Sequence, residues 1–369
     1  MIFNPNSEVL GLKKIDIYII RKFLGTYFYA ILLLTIIIII FDISEKIDDF
    51  IEKDAPLKAI VFQYYLNFIP FFVNMFSSLF TFIAVVYFTS RLASNTEIVA
   101  MLNAGISFWR ILVPYLISGV FLTLLSFGLM NYVIPYTNRD LRAFEKQYIK
   151  NPFKSNEMNL HMQIEPGTYI YVENFNSLAK IGYRFSLEKF DSTGLALKLK
   201  ADMITWDSIQ SRWKMSNYIL RKIQPNGEII YKGAEVDTAM AFSPSDFMVD
   251  IEDAKMMTYN QLNRFIEKEK MRGSTLTGQF NLEKYKRLTF PFANLVLTFI
   301  GVALSSRKVR GGIGMHLGMG IGIAFTFILL LQVSSVFAIF GNLPAAIALW
   351  IPNIIYSIIA IILLRMAPK

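Results

Sequence analysis

Five long runs without a charged residue constrain this sequence more than any other feature. They are 23–41, 59–90, 111–138, 288–306 and 311–364. An apolar helix of about 20 residues crosses the hydrocarbon core of a bilayer, so the first four runs supply one span each. The last run is long enough for two, and Gly341 to Pro344 interrupt it. We therefore predict six spans, at 18–41, 62–89, 109–134, 285–305, 315–340 and 345–364.

The basic residues at the span ends predict the orientation of the chain. An even number of spans places both termini on one side. Positive charge gathers before span one, between spans two and three, after span four and at the C-terminus, so these regions are expected to be cytoplasmic. The loop after span one is mainly acidic and fits the outer side. The cluster Lys284, Lys286 and Arg287 disagrees, because this topology puts it at the outer end of span four.

Composition and motifs exclude several classes of function. The net charge of +9 comes from basic residues dispersed at span ends, which does not favour nucleic-acid binding. The absence of cysteine excludes disulfides and thiol catalysis. The two histidines, His161 and His316, stand alone, and no hydrolase or nucleotide-binding motif is present. We expect no catalytic residue, no metal site and no directly bound cofactor. Since the spans are nearly free of ionisable residues, transport would draw its energy from another chain.

Between the third and fourth spans the hydrophobic period drops toward two. Alternation at 168–172, 183–187, 195–200 and 213–218 predicts half-buried strands, and Pro225-Asn226-Gly227 predicts a hairpin between two of them. A helix over 259–271, capped by Thr258 and ended by Gly273, is expected to follow. Such strands are typical of a sandwich or open barrel. The domain is either a docking surface or two sheets that gape to hold acyl chains.

A short helix is predicted in the loop after span two. Ser94-Asn95-Thr96-Glu97 matches a capping box, in which Ser94 bonds the amide at Glu97 and the carboxylate returns the bond. Gly105 is placed to end this helix and Ser107 to cap the next. Its apolar side is formed by Ile98, Val99, Met101 and Leu102. Either Glu97 serves only as a cap, or the helix docks into a partner that drives movement.

Span five carries glycines four residues apart, at Gly314, Gly318 and Gly322. A stripe of small residues lets another helix approach closely. Two interpretations remain open from the residues alone, because such stripes serve packing within one chain as well as contacts between two subunits that meet and slide.

Motifs spread along the whole chain carry a resemblance to a known family. They are 17–24, Asp42 and Glu45, Arg91-Leu92, 97–101, 104–107, Pro135 and Asn138, 287–293, 311–314, Leu343-Pro344 and 350–353. In this order and on the six-span topology, they resemble the LptF/LptG family of lipopolysaccharide-export ABC transporter permeases.

This resemblance implies a polytopic α-helical membrane protein with six transmembrane helices and a periplasmic β-jellyroll-like domain inserted between helices 3 and 4. The domains would be 1–134, 135–284 and 285–369. The expected function is a permease subunit, without catalysis of its own, that extracts lipopolysaccharide from the bacterial inner membrane and passes it to a periplasmic bridge. Its expected partners are lipopolysaccharide through lipid A, a second homologous permease, a cytoplasmic ATPase dimer that uses the ATP, and a jellyroll bridge protein.

The resemblance also assigns candidate site residues. ATPase coupling falls on the helix near 94–105 and involves Arg91, Ser94, Glu97, Ile98, Met101 and Gly105. The glycine stripe of span five belongs to a lateral gate with span one. Inward strand positions Tyr171, Phe185 and Trp213 would line the jellyroll. Because 24–40 has no basic residue, Lys46 or the cluster Lys284, Lys286 and Arg287 would contact substrate phosphates.

Two other classes of function stay open. The first is a membrane-anchored scaffold whose periplasmic domain recruits envelope proteins without moving lipid. The second is an intramembrane enzyme, for which the residues offer no catalytic set.

Overall fold

The structure is a computed structural model that describes residues 12–149, 156–224, 227–248, 250–274, 276–307, 312–341 and 343–367. The chain divides into two compact units, Met1–Phe144 with Asn281–Lys369, and Glu145–Phe280. We call them the membrane unit and the sheet unit. In chain order the elements are α1 (Lys14–Glu52), α2 (Leu57–Ser94), α3 (Glu97–Asn103), α4 (Phe108–Tyr148), β1 (Asn156–Glu165), β2 (Thr168–Asn176), β3 (Ile181–Asp191), β4 (Gly194–Asp207), β5 (Arg212–Gln224), β6 (Gly227–Thr238), α5 (Ile251–Lys255), α6 (Tyr259–Arg272), α7 (Thr277–Ser305), α8 (Gly312–Phe340) and α9 (Ala345–Met366).

Six of the helices are long and apolar enough to cross a membrane, which confirms the six predicted spans. They are α1, α2, α4, α7, α8 and α9. The first three have 39, 38 and 41 residues. At about 1.5 Å per residue each is nearly twice as long as the hydrocarbon core is thick. These helices therefore extend past the apolar segments from which the spans were predicted.

One face of α1 packs into the membrane unit. Ile19, Phe23, Tyr27 and Ile31 recur at helical spacing and are buried against α2 and α4. Buried hydrogen bonds add to this packing. The Tyr27 hydroxyl lies 2.9 Å from Ser77 Oγ of α2, and Ser77 Oγ donates to Asn294 Oδ1 of α7 at 3.2 Å. Such bonds hold membrane helices together where lipid gives no hydrophobic drive to associate.

The sheet unit contains one antiparallel sheet whose strands pair in chain order from β1 to β6. The fold class is thereby confirmed as six spanning helices with a jellyroll-like sheet inserted between the third and the fourth. The expectation of two facing sheets is wrong, because every described strand is bonded to the next one along the chain. The predicted hairpin is present, since Gln224 pairs with Gly227. Its turn residues 225 and 226 lie outside the described residues.

A line of irregular positions, which we call the crease, crosses the sheet. It runs through Asn159, Glu173, Arg184, Asp202 and Asn217, where the strand pairing skips one pair at every junction. Asn159, Arg184 and Asn217 have positive φ angles of 57°, 52° and 51°. Neighbouring strands keep the same register on both sides of the crease, so no strand has an extra residue relative to its partner, as a β-bulge would require. The alternation of inward and outward side chains shifts by one on either side of it.

The shift at the crease is visible in the core of the sheet. Buried positions run from Val172 to Phe175 on β2 and from Ala201 to Ile204 on β4, three residues apart instead of two. Trp213 is fully buried, and its indole N–H donates to the Phe242 carbonyl at 2.9 Å. The core of the sheet unit therefore lies on one face of a sheet whose strands do not keep a strict period of two.

The predicted helix of the sheet unit is confirmed as α6. Thr258 caps it together with Gln261, and Gly273 ends it in the left-handed conformation with φ 74°. Arg272 of α6 donates to Asp246 Oδ1 at 2.6 Å, and the Ser243 amide donates to Asp246 Oδ2 at 2.8 Å. This carboxylate ties the segment after β6 to α6.

Candidate functional site

The short helix in the loop after the second span is present, but its start differs from the prediction. Ser94 is the last residue of α2, and α3 begins at Glu97 behind Thr96, which has φ 61°. The capping box is therefore wrong. The Glu97 carboxylate instead accepts hydrogen bonds from the Tyr18 hydroxyl of α1 at 3.2 Å and from Asn95 Nδ2 at 3.3 Å. Glu97 links α3 to α1.

The end of α3 follows the prediction. Gly105 has φ 81°, which favours glycine. Its amide donates to the Leu102 carbonyl at 3.0 Å. Ser107 Oγ accepts from the Arg110 amide at 3.3 Å and caps α4. Two tight turns thus hold α3 between α2 and α4.

The exposed face of α3 differs from the set assigned by sequence. Ile98 is buried, and Met101 is half-buried against the same core. Val99 is 49% exposed, and Trp109 at the start of α4 is 61% exposed. Arg91, in the last turn of α2, is exposed as well. A partner that docks here would meet Val99 and Trp109, an apolar pair whose exposure the helical period alone did not reveal.

An ion pair that sequence reasoning missed holds this region together. Arg110 of α4 donates to both oxygens of Asp16 in α1, at 2.7 and 2.5 Å, and Asp16 is buried. A paired guanidinium and carboxylate in this geometry fixes orientation as well as distance. The two residues are 94 positions apart in the chain, so no local pattern announces the pair.

The glycine stripe of α8 faces away from the rest of the described chain. A Cβ atom added at Gly314, Gly318 or Gly322 would meet no atom within 4 Å. The close helix contact is made by Gly320 instead, where a Cβ atom would lie 3.3 Å from Phe82 and Val86 of α2. The stripe therefore does not serve packing among the described residues. It leaves an open surface on which a second helix would fit.

A groove in the membrane unit runs along the first turns of α1. Its volume is about 850 Å³, and α2 and α8 contribute Tyr87 and Leu317 to its wall. Lys14, Arg21 and Lys22 lie on its α1 side. Sequence reasoning used these cations only to orient the chain and did not place them around a cavity.

The cations proposed for phosphate contact are engaged within the chain. Lys46 Nζ lies 2.6 Å from Asp42 Oδ1 and also bonds the hydroxyl of the buried Tyr64. Arg287 is buried, with Nε 3.6 Å from Glu283 Oε1.

The other two members of the cluster, Lys284 and Lys286, are half-buried and lie over the rings of Tyr285 and Phe290. These positions describe anchored side chains, and a phosphate contact by any of them stays a prediction.

The two faces of the sheet differ in chemistry. The core face opens into an apolar groove of about 450 Å³ that is lined by Leu187, Leu199, Leu220 and Val236 among others. Phe185 and Trp213 are buried on this face. The inward assignment of Tyr171 is wrong. Its neighbours Ile170 and Val172 are the buried ones, and the Tyr171 hydroxyl donates to Asn159 Oδ1 at 2.9 Å on the other face.

The opposite face of the sheet has a polar depression of about 700 Å³. Its charges are mostly paired across strands, as in Arg184 with Glu173 at 2.7 Å and Lys198 with Glu188 at 2.5 Å. The hydrogen bond to Glu173 raises the pKa of Arg184, and the charge of that carboxylate adds to it. This face is built for contact with water, whereas the core face offers a place for apolar chains.

The two histidines lie in different units, His161 in the sheet unit and His316 in the membrane unit. His161 stacks on Tyr171 with ring centroids 4.5 Å apart, and His316 Nε2 lies 2.9 Å from the Arg307 carbonyl oxygen. Over the described part of the chain, no group of three histidine, aspartate or glutamate residues could hold a metal ion.

Comparison with known families gives one match that covers nearly the whole chain. A model described as lipopolysaccharide export system permease LptF/LptG matches residues 17–366 of 369. The match includes all six spanning helices and the inserted sheet. No curated protein matches this chain.

Proposed function

We propose, since this chain belongs to the LptF/LptG family of lipopolysaccharide export permeases, that it is the permease subunit of an ATP-driven exporter. It resides in the inner membrane as a transporter subunit. In the proposal, the sheet unit lies on the periplasmic side, α3 lies in the cytoplasm, and a separate ATPase supplies the work. The chain extracts lipopolysaccharide from the membrane and hands it to a periplasmic bridge protein.

The apolar groove on the sheet carries this proposal. Lifting lipid A out of the bilayer exposes acyl chains to water at about 0.8 kcal/mol per methylene group. A surface lined by Leu187, Leu199 and Leu220 lowers that cost, because it replaces water with apolar side chains. A scaffold that only recruits other proteins has no need of such a groove next to a core of buried aromatic residues.

Crosslinking in cells tests whether the groove holds acyl chains. A photoreactive residue at Leu187 is expected to crosslink to lipopolysaccharide. Glu188 is the matched control, because it follows Leu187 on β3 and lines the polar face. Equal labelling from the two positions, or none from Leu187 in a functional exporter, would favour the scaffold.

The exposed surface of α3 supports the proposal of a cytoplasmic ATPase partner. Glu97 accepts a hydrogen bond from Tyr18, so α3 is bonded to the spanning helix α1 as well as connected through its flanking turns. A movement of a partner bound at Val99 and Trp109 would therefore be transmitted directly to α1 and α4. This arrangement suits a lever between an ATPase and the membrane helices.

Co-purification tests the ATPase contact. Val99→Asp places a charge on the exposed face of α3, and we expect the recovery of the ATPase subunit to fall about tenfold, as for an interface hot spot. Leu57→Asp is the control, since Leu57 is also exposed but lies at the other end of α2. Unchanged recovery with Val99→Asp would remove α3 from the interface.

The exposed edge strand β6 supports the proposal of a bridge protein that is itself made of β-strands. Among the described residues β6 pairs only with β5. Its residues Ile229, Ile230 and Tyr231 are exposed. An edge strand of this composition is a template for strand addition. We propose that the bridge protein extends the sheet at β6 and so continues the apolar groove.

A further inference from the structure

The groove beside α1 combines apolar walls with positive charge that nothing in its lining balances. We propose that it binds an anionic glycerophospholipid from the leaflet in which α1 begins, with the lipid phosphate held by Lys14, Arg21 and Lys22. The inference goes beyond the export function, because the lipid is a bound component of the permease and not its cargo. In the orientation proposed above, this is the cytoplasmic leaflet.

The order of residues along α1 matches the order of groups along a lipid. The groove face of α1 carries Lys14, Arg21 and Lys22 in its first turns. Gly25, Ala30 and Leu33 follow one to three turns deeper on the same face. The cations therefore lie at the membrane surface, where lipid phosphates are, and the apolar positions lie where acyl chains run.

The groove face is distinct from the packed face of the same helix. Phe23 and Tyr27 point into the membrane unit and are buried, whereas Lys22 and Gly25 are exposed. A Cβ atom added at Gly25 would meet nothing within 4 Å. The groove is thus open at its centre and has room for a chain that the protein does not supply.

The charge around the groove is not balanced by the described residues that line it. Among those residues the lining contains no aspartate or glutamate. Asp16 is paired with Arg110, and Glu97 accepts from the hydroxyl of Tyr18, which lines the groove, and not from its cations. Within the described ranges the side chains of Lys14, Arg21 and Lys22 make no ion pair. Three uncompensated cations attract a phosphate, and basic segments next to a membrane bind anionic lipids in this way.

Native mass spectrometry of the full-length chain in detergent tests the charge. The probes are phosphatidylglycerol and, as a zwitterionic reference, phosphatidylcholine. We expect phosphatidylglycerol adducts to exceed phosphatidylcholine adducts in the natural chain. The double variant Arg21→Gln with Lys22→Gln should lose about tenfold of that preference, whereas Arg365→Gln, an exposed cation outside the groove, should keep it.

A second pair of variants tests the cavity. Gly25→Leu adds a side chain in the groove, starting from a Cβ position with no atom within 4 Å. It should reduce phosphatidylglycerol binding while the melting temperature is retained. Gly128→Leu is the control, since this helical glycine also has open space around it but lies outside the groove. Equal binding of the two lipids, or loss of binding in both glycine variants alike, would overturn the proposal.

Lipopolysaccharide serves as the competing ligand. If purified lipid A displaces phosphatidylglycerol from the natural chain at equal concentration, the groove belongs to the substrate path and the inference is wrong. If phosphatidylglycerol stays bound, the inference holds. Crosslinking at Leu187 reports on export independently, so a failure here is distinguishable from a failure of the proposed function.

Discussion

The two ends of α1 treat positive charge in opposite ways. Near the C-terminal end Lys46 is only 20% exposed and is bonded to Asp42 and to Tyr64. Near the N-terminal end Arg21 and Lys22 are exposed and have no acidic neighbour in their groove. Both sets are lysines or arginines of one helix, so residue type does not separate them. Their surroundings do.

This comparison distinguishes charged side chains that stabilise the fold from charged side chains that are available to bind a ligand. A buried cation must find its partner in the chain, because leaving it unpaired costs several kcal/mol. An exposed cation at the membrane surface has no such constraint. The same distinction applies to packing, since a glycine that meets a neighbour serves the fold and one that faces open space serves a second molecule.

The largest effect on stability is expected when the paired cation Lys46 is removed. Lys46→Met leaves the buried Asp42 carboxylate with only the phenol hydroxyls of Tyr64 and Tyr65 as donors. We expect the free energy of unfolding to fall by roughly 3 kcal/mol, the lower end for a broken buried pair. Arg21→Met should leave it unchanged. Denaturant titration of the purified chain in mixed micelles measures both.

A double variant controls for the loss of the lysine side chain itself. Asp42→Asn in the Lys46→Met background removes the orphaned charge and should recover part of the stability, as expected for coupled neighbours. If Lys46→Met and Arg21→Met unfold at the same denaturant concentration, the contrast between the two ends of α1 does not exist.

An intermediate effect is expected for the glycines of α8. Gly320→Leu forces a side chain against Phe82 and Val86 of α2 and should cost about 1–3 kcal/mol of stability by overpacking. Gly318→Leu meets no atom and should leave the isolated chain as stable as before. Thermal unfolding of the single chain measures this difference. Recovery of the second permease in a pull-down should show the reverse order, with Gly318→Leu the weaker binder.

The spans were predictable from sequence because every residue in them adds to the same apolar signal. The helix ends were not, since α1 continues to Glu52 through residues whose charges carry no information about helix length. The capping box of Ser94 and Glu97 was mispredicted for a related reason. A capping box is a local pattern, whereas the actual partner, Tyr18, lies 79 residues away in the chain.

The strands were predictable from their alternation, but the faces were not. Alternation assumes one period along the whole strand, and at the crease the buried positions shift by one residue. Tyr171 was placed on the wrong face although 168–172 alternates strictly, because alternation alone does not tell which of the two sets of side chains is buried. Phe185 and Trp213 are buried. The groove and the crease both depend on how all six strands pair side by side, which no single stretch of sequence contains.

The smallest effect on stability is expected for Asp246, a paired carboxylate outside the spanning helices. Burial of the Asp246 carboxyl opposes its ionisation, but hydrogen bonds from Arg272 and the Ser243 amide, with the nearby charges of Arg272 and Lys268, outweigh it and lower its pKa. The ionised carboxylate therefore stabilises the fold above the ordinary aspartate pKa of about 4. That contribution is lost as the pH falls through the lower pKa of the folded state.

Asp246→Asn tests this contribution and extends the comparison to the sheet unit. The variant should lose on the order of 1 kcal/mol at pH 7, the net worth of a typical hydrogen bond. Arg272 retains Glu269 as a partner at 3.0 Å, which limits the loss. In a background with Trp109 and Trp350 changed to Phe, fluorescence reports only Trp206 and Trp213 of the sheet. The gap between Asp246→Asn and the parent should close as the pH falls below about 4. A gap that persists or widens in acid would mean that Asp246 does not hold the segment after β6 through its charge.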